Sequence, residues 1–396
     1  MERGEEMATA ARVEALVKPE LLRWGRETAS LSIGAAAKKV GVTPERLLSW
    51  ENGDARPSIP QLRNIAEAYK RPLAAFYLPA PPAPLERPRD FRRPPGEGAS
   101  QDSPALLYEM RRAVYRREVA MELLYELGEE PSTLAVTVSQ DDDPEKVGAQ
   151  IRNLLGVDYA TQVAWKDDSG AFRFWRTSLE RLGVLVFLAR GIPLAAMYGF
   201  SISHWPLPVI EVNGKHQERA RIFTMLHEFT HLLLHEGGIC DSHESRAVEV
   251  FCNHVAGAAL VPMDCLLQEE RVKNAPDRST FDDDEIAGLA RRYNASREAI
   301  LRRLLIAGRI TEPFYQSKRQ QFQQEFVNTR PGGIAKPHTK ALNTLGTLFP
   351  RLVLESYEDR RITASDLAEY LGLRLKHLPK LQEAMRPDAV REPIPS

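Results

Sequence analysis

Three cysteines in 396 residues exclude a disulfide-stapled scaffold. Cys240, Cys252 and Cys265 make an odd count, which suits a reducing compartment, and no two have the close spacing of a zinc knuckle. They read as small, mostly buried residues. Long hydrophobic runs are missing too: no stretch of about 18 apolar residues occurs, so no membrane partner is expected. The opening MERGEEMATAARVEAL lacks the apolar core of a signal peptide, and a cytoplasmic location is expected. Charge of one sign is absent. Lys+Arg number 53 against 54 Asp+Glu, a net charge of -1, which removes the simplest argument for a nucleic-acid binder. Residues 1–100 lean only slightly basic, with sixteen Lys/Arg against thirteen Asp/Glu. There is no internal repeat.

What is present suits a folded protein of two or three domains, with 43% hydrophobic and 27% charged residues. Residues 20–78 carry apolar positions at helical spacing, among them Leu21, Leu22, Val40, Leu47, Trp50 and Ile65. Ser32 is placed to cap one helix, Gly41 supplies a tight turn, and Thr43-Pro44 starts the next. Helix, short glycine-bearing turn and helix make a helix-turn-helix. The stretch LPAPPAPLERPRDFRRPP (78–95) cannot continue a helix and reads as an extended linker. Helices are expected again over Leu106–Leu127 and Pro144–Leu155, followed by strands over 183–188, 197–202 and 209–212. A helix is expected over Gln217–His235, and the remainder reads as helical with short breaks.

The helix Gln217–His235 contains His227-Glu228-Phe229-Thr230-His231. On a helix the two histidines lie one turn apart on one face, so both imidazoles reach one Zn²⁺. Glu228 sits beside the first of them, where a carboxylate accepts a proton from a metal-bound water without itself ligating. The neighbours Phe223, Leu226, Phe229 and Leu232 are apolar, so polar groups on this helix need a polar purpose. A third ligand must come from elsewhere. His235 lies eight residues past His227, about 12 Å along an unbroken helix, which is too far. His243 and Glu244, after the Gly237-Gly238 break, are geometrically possible. Glu249 is the favoured choice, because a second helix can return past the first by that point and its other face is apolar. Asn253, one turn on, is placed to orient that carboxylate.

The segments PVIEVN (208–213), IFTMLHEFTHLLLH (222–235) and EVFCNHVAGAALVP (249–262) resemble the ImmA/IrrE family of metallopeptidases. The resemblance is specific at the two helices and extends weakly from Asp143 to Phe326. It implies ligands at His227, His231 and Glu249 and a general base at Glu228. Cys252 stands where the family usually has Ala, and Thr230 where Gly is commoner; neither is expected to touch the ligand set. Tyr198, Arg221 and His254 are candidates to stabilise an oxyanion, and the strands offer an edge where a substrate backbone could add. Residues 35–69, with RPLAAFYLP (71–79), resemble the XRE/Cro helix-turn-helix modules fused upstream of such peptidases. That likeness places Glu45, Arg46 and Ser49 as base-reaching positions on double-stranded DNA. Ile33 stands where a phosphate-positioning Gln is common, and Arg46 is the one cation on the reading helix. The alternative for this unit is dimerisation or partner docking.

Together these readings predict a mainly α protein with a small β-sheet. A helix-turn-helix bundle is expected over 1–78, a proline-rich linker over 79–105, a zincin-like α+β metallopeptidase domain over 106–330 and a helical C-terminal region over 331–396. Within the metallopeptidase domain, 285–305 reads as a helical hairpin closing that domain rather than a second helix-turn-helix. The resemblance implies a regulatory zinc endopeptidase acting on a protein, such as a helix-turn-helix repressor in a stress response, and leaves a homodimer open. Competing readings are a DNA-binding regulator with a silent peptidase-like sensor domain, or an antitoxin-like binding protein.

Overall fold

The computed structural model describes residues 13–82, 91–92, 103–132, 134, 136–234, 245–273, 280–326 and 336–386. Two compact units emerge, one of residues 1–87 and 96–112, the other of 88–95 and 113–396. Among the described residues no helix is long and apolar enough to cross a membrane.

The first unit contains α1 (Pro19–Glu27), α2 (Ile33–Val40), α3 (Pro44–Asn52) and α4 (Ile59–Ala68), then a 3₁₀ turn at Leu73–Tyr77. The expected punctuation is in place. Ser32 accepts from the Ala35 amide, Thr43 from that of Arg46, and Gly41 closes α2 at φ 80°. Leu21, Leu47, Trp50, Leu62 and Ile65 are buried at its centre. Beneath them Arg26 grips the buried Glu51 through two hydrogen bonds of 2.8 and 2.9 Å, tying α1 to α3.

The unit boundary falls within α5 (Pro104–Leu127). The second unit continues with α6 (Pro144–Leu155), α7 (Tyr159–Ala164) and α8 (Asp168–Arg181). Its sheet has four strands in the order β1-β3-β4-β2: Phe91–Arg92, Gly199–Ile202, Val209–Asn213 and Leu185–Ala189. β2 runs parallel to β4, β3 antiparallel to β4, and β1 antiparallel to β3. Three strands match the sequence expectation. The fourth is a difference, because two residues of the proline-rich stretch join the sheet rather than serving as linker alone.

Every residue of β2, β3 and β4 is buried, so the sheet is covered on both faces. On one face Val186, Leu188, Ile210 and Val212 pack with α8 and with α9 (Glu218–Leu234). On the other, Phe187 meets Phe349 edge-on at 5.9 Å. Phe349 belongs to the C-terminal helices α16 (Pro337–Leu345), α17 (Leu348–Glu358), α18 (Ala364–Leu371) and α19 (Leu378–Met385).

Between α9 and those helices lie α10 (Ser245–Leu260), α11 (Met263–Gln268), α12 (Glu270–Lys273), α13 (Asp283–Arg292), α14 (Arg297–Ile306) and α15 (Glu312–Phe326). α10 packs against α9 on one side and α6 on another. Gly148 of α6 permits that approach, since a Cβ there would lie 2.6 Å from Ala258 Cβ. The helices over 285–305 form a hairpin, with Ser296 capping the second, and α14 packs on α10.

Candidate metal centre

Helix α9 runs under the sheet with His227, Glu228 and His231 almost fully buried, at 0%, 1% and 2% exposure. The 3.6-residue period carries both histidines to one face, and their Nε2 atoms lie 3.1 Å apart. Glu249, on the first turn of α10, meets them from the side. Its Oε2 is 3.5 Å from His227 Nε2 and its Oε1 is 3.3 Å from His231 Nε2. Among the described residues these three form a group whose donor atoms all lie within 4.8 Å of one another. The Glu249 side chain is 38% exposed, so solvent reaches the group from its side.

The donor set fits a divalent cation. Two imidazole nitrogens and a carboxylate oxygen are the borderline ligands that zinc prefers. Ligands about 2.0–2.1 Å from a tetrahedral zinc stand roughly 3.3 Å from each other, close to the spacing found. Electrostatics agree. Burial opposes a charge on His231, yet hydrogen bonds from Cys252 and Glu249 raise its pKa well above the ordinary histidine range, so the cluster attracts positive charge.

Glu228 points to the sheet. Ser201 of β3 donates its hydroxyl to Glu228 Oε2 at 3.1 Å. Gly199, on the same strand, lets backbone and helix come together: a Cβ there would lie 2.6 Å from Thr224 Cγ2 and 3.2 Å from Glu228 Oε1. Sequence reasoning misses both Ser201 and Gly199. The one available signal is a lone serine in the apolar strand Gly-Phe-Ser-Ile.

Other sequence candidates have different surroundings. Asn253 Nδ2 donates to the main-chain carbonyl of Glu249 at 2.7 Å, so its hold is on the helix backbone rather than on the carboxylate. His254 Nε2 lies 2.8 Å from Glu145 Oε1 and lines an open apolar groove with Pro144, Val250 and Phe251. Arg221 donates to the Gly214 carbonyl at 2.6 Å and pairs with Glu218. Tyr198 packs edge-on against His216, ring centres 4.7 Å apart. Cys252 is a correction: expected to leave the ligands untouched, it is fully buried and hydrogen-bonded to His231. Thr230 returns its hydroxyl to the Leu226 carbonyl at 2.8 Å. Residues His235, His243, Glu244 and Cys240 lie outside the described residues.

In the first unit, Glu45 and Arg46 are exposed on α3, and the Arg46 guanidinium sits over Trp50 at 5.6 Å. Ser49 is half-buried and returns its hydroxyl to the Arg46 carbonyl at 2.8 Å.

Residues 179–305, which contain the whole cluster, match the peptidase family model described as the IrrE N-terminal-like domain. The chain carries an IrrE N-terminal-like domain. Residues 22–76 match the helix-turn-helix family, so the helix-turn-helix unit and the IrrE-like domain share one chain, as the two resemblances implied. No curated protein matches the chain. Among solved structures, a Mycobacterium tuberculosis transcriptional regulator is similar at 14% identity and a TM-score of 0.28, over 48% of this chain and 52% of that one. The chain thus spans about half of that structure, and a likeness of this size carries no argument.

Proposed function

We propose that the chain is a regulatory zinc-dependent endopeptidase that cleaves a protein, with a transcriptional repressor as the substrate. The observation that carries this reading is the convergence of His227, His231 and Glu249 beside a buried Glu228 that Ser201 holds in place. Three protein ligands leave an open fourth position, the arrangement of catalytic rather than structural zinc. Zinc bound there would acidify a water and polarise a peptide carbonyl. Glu228 takes the proton from that water on its carboxylate and returns it to the departing amine. Ser201 fixes Oε2, which leaves the carboxylate one orientation, and the apolar packing of α9 keeps bulk water from it. Glu249, the exposed ligand, marks the side from which substrate arrives.

The helix-turn-helix unit brings the enzyme to double-stranded DNA, through the exposed Glu45 and Arg46 with Ser49, or to a DNA-bound target. Purified protein is assayed for zinc, and wild type and Glu228→Gln are compared against candidate repressors. Cleavage by wild type alone supports the reading. Equal cleavage by both removes Glu228 as the base, and zinc-loaded wild type that cleaves none of them while binding operator DNA favours a DNA-binding regulator with a silent sensor domain.

A further inference from the structure

We infer that Phe91–Arg92 is an intramolecular competitor for the strand position along β3 through which an extended substrate would be held. The inference rests on the peptidase reading for its meaning, but not for its test.

β3 is the strand closest to the candidate chemistry, since Ser201 touches Glu228 and Gly199 is compressed against α9. One edge of β3 is committed to β4 through all four residues, Gly199 to Ile202. Its other edge is the nearest place to Glu228 where a peptide backbone could find unpaired amides and carbonyls. That edge is where β1 lies, with Phe91 opposite Phe200 and Arg92 opposite Gly199, in antiparallel register.

The occupant is suited to leaving. It pairs with only two of the four β3 residues, and among the described residues Ser201 and Ile202 have no partner in β1. The sequence prevents it from growing: Pro88, Pro94 and Pro95 bracket it, and proline cannot donate to a ladder. A two-residue strand is marginal by itself. Tethered to the same chain, however, it acts at an effective concentration on the order of millimolar, enough to hold off a weak strand-forming partner. A longer extended segment that pairs along the full length of β3 displaces it. The device therefore selects substrates able to present four or more consecutive backbone groups in extended form. A plain protective cover over a sheet edge would need no such readiness to exchange.

The test uses the full chain carrying Glu228→Gln, so binding is read without turnover. The probe is a labelled peptide of the sequence PRDFRRPP, residues 88–95 of this protein. Hydrogen exchange at the amides of Gly199–Ile202 is followed in parallel. In the Phe91→Pro/Arg92→Pro variant these amides are expected to exchange faster and to regain protection with millimolar peptide. The variant is expected to bind the peptide several-fold to about tenfold more tightly than its parent. Arg92→Pro alone, with a smaller gain, serves should the double variant fold poorly. Equal peptide affinity and unchanged β3 exchange in both proline variants would overturn the inference. A chain that binds as described yet cleaves nothing refutes the peptidase reading alone. A peptidase whose β3 amides ignore the substitutions refutes this inference alone.

Discussion

Ser201 Oγ stands 3.1 Å from Glu228 Oε2, and that one bond joins the sheet to the buried carboxylate beside the metal-competent cluster. A carboxylate in an apolar interior needs a donor, and the strand supplies it. Strand and helix can be this close because the residue two before Ser201 is glycine.

Gly199→Ala tests that closeness. The new methyl would sit 2.6 Å from Thr224 Cγ2 and 3.1 Å from the Glu211 carbonyl, both parts of packed elements. Overpacking of this kind costs about 1–3 kcal/mol. A fall in the urea midpoint of that order is expected, with weaker zinc retention because α9 carries two of the three donors. An unchanged midpoint would mean that β3 slides freely over α9.

The donor cluster predicts a pattern among four substitutions. His227→Ala and His231→Ala are expected to abolish zinc retention after dialysis, and Glu249→Gln to weaken it by roughly 10–100-fold or more. Glu228→Gln is expected to retain roughly one zinc per chain, because a base beside the metal is not a ligand. Metal analysis checks all four. Zinc added to the stripped wild type should also raise its melting temperature, as any ligand of the native state does.

The cluster was legible because its logic is local. Four residues separate His227 from His231, the helical period does the rest, and Glu249 follows on the next helix. The helix-turn-helix was legible for the same reason, since Ser32, Gly41 and Thr43 each act on a neighbour. What escaped notice was long-range. Phe91–Arg92 has no strand signature among its prolines, and pairs with β3 more than a hundred residues away. The C-terminal helices read as a region of their own. In fact they cover one face of the sheet, which neither hydrophobic period nor spacing encodes.

The anchor of those helices is itself testable. Glu180 is buried on α8 and accepts from the Thr347 amide at the start of α17, while Arg176 donates to the Asn343 carbonyl at 2.8 Å at the end of α16. Burial raises the Glu180 carboxyl and lowers the Arg176 guanidinium, so each charge depends on its neighbours. Glu180→Ala leaves Arg176 buried without its carboxylate and is expected to cost about 3–5 kcal/mol. Hydrogen exchange should locate the loss in 337–358 before the helix-turn-helix unit responds. Uniform loss across the chain would deny the anchor its local role.

A second ion pair gives the pH dependence. Glu145 holds Arg303 through bonds of 2.6 and 2.8 Å and faces His254 at 2.8 Å, joining α6, α14 and the metal-bearing α10. Burial pushes the Glu145 carboxyl up, but the bonds from Arg303 and His254 outweigh it and bring it from 4.5 to about 2. The folded pKa is thus below the unfolded one. Its stabilisation is present in full above about 4.5 and is lost as pH falls towards about 2. Glu145→Gln is expected to cost about 2 kcal/mol at pH 7, below the figure for a sealed pair because 33% of the carboxylate side chain is exposed. Urea midpoints of wild type and variant at pH 7, 4.5 and 3 check the sign. Their difference should hold between the first two and narrow at the third, since protonation of Glu145 and its replacement by an amide alike leave Arg303 without a charge partner. A gap that widened in acid would mean that Arg303 draws its stability from a partner other than Glu145.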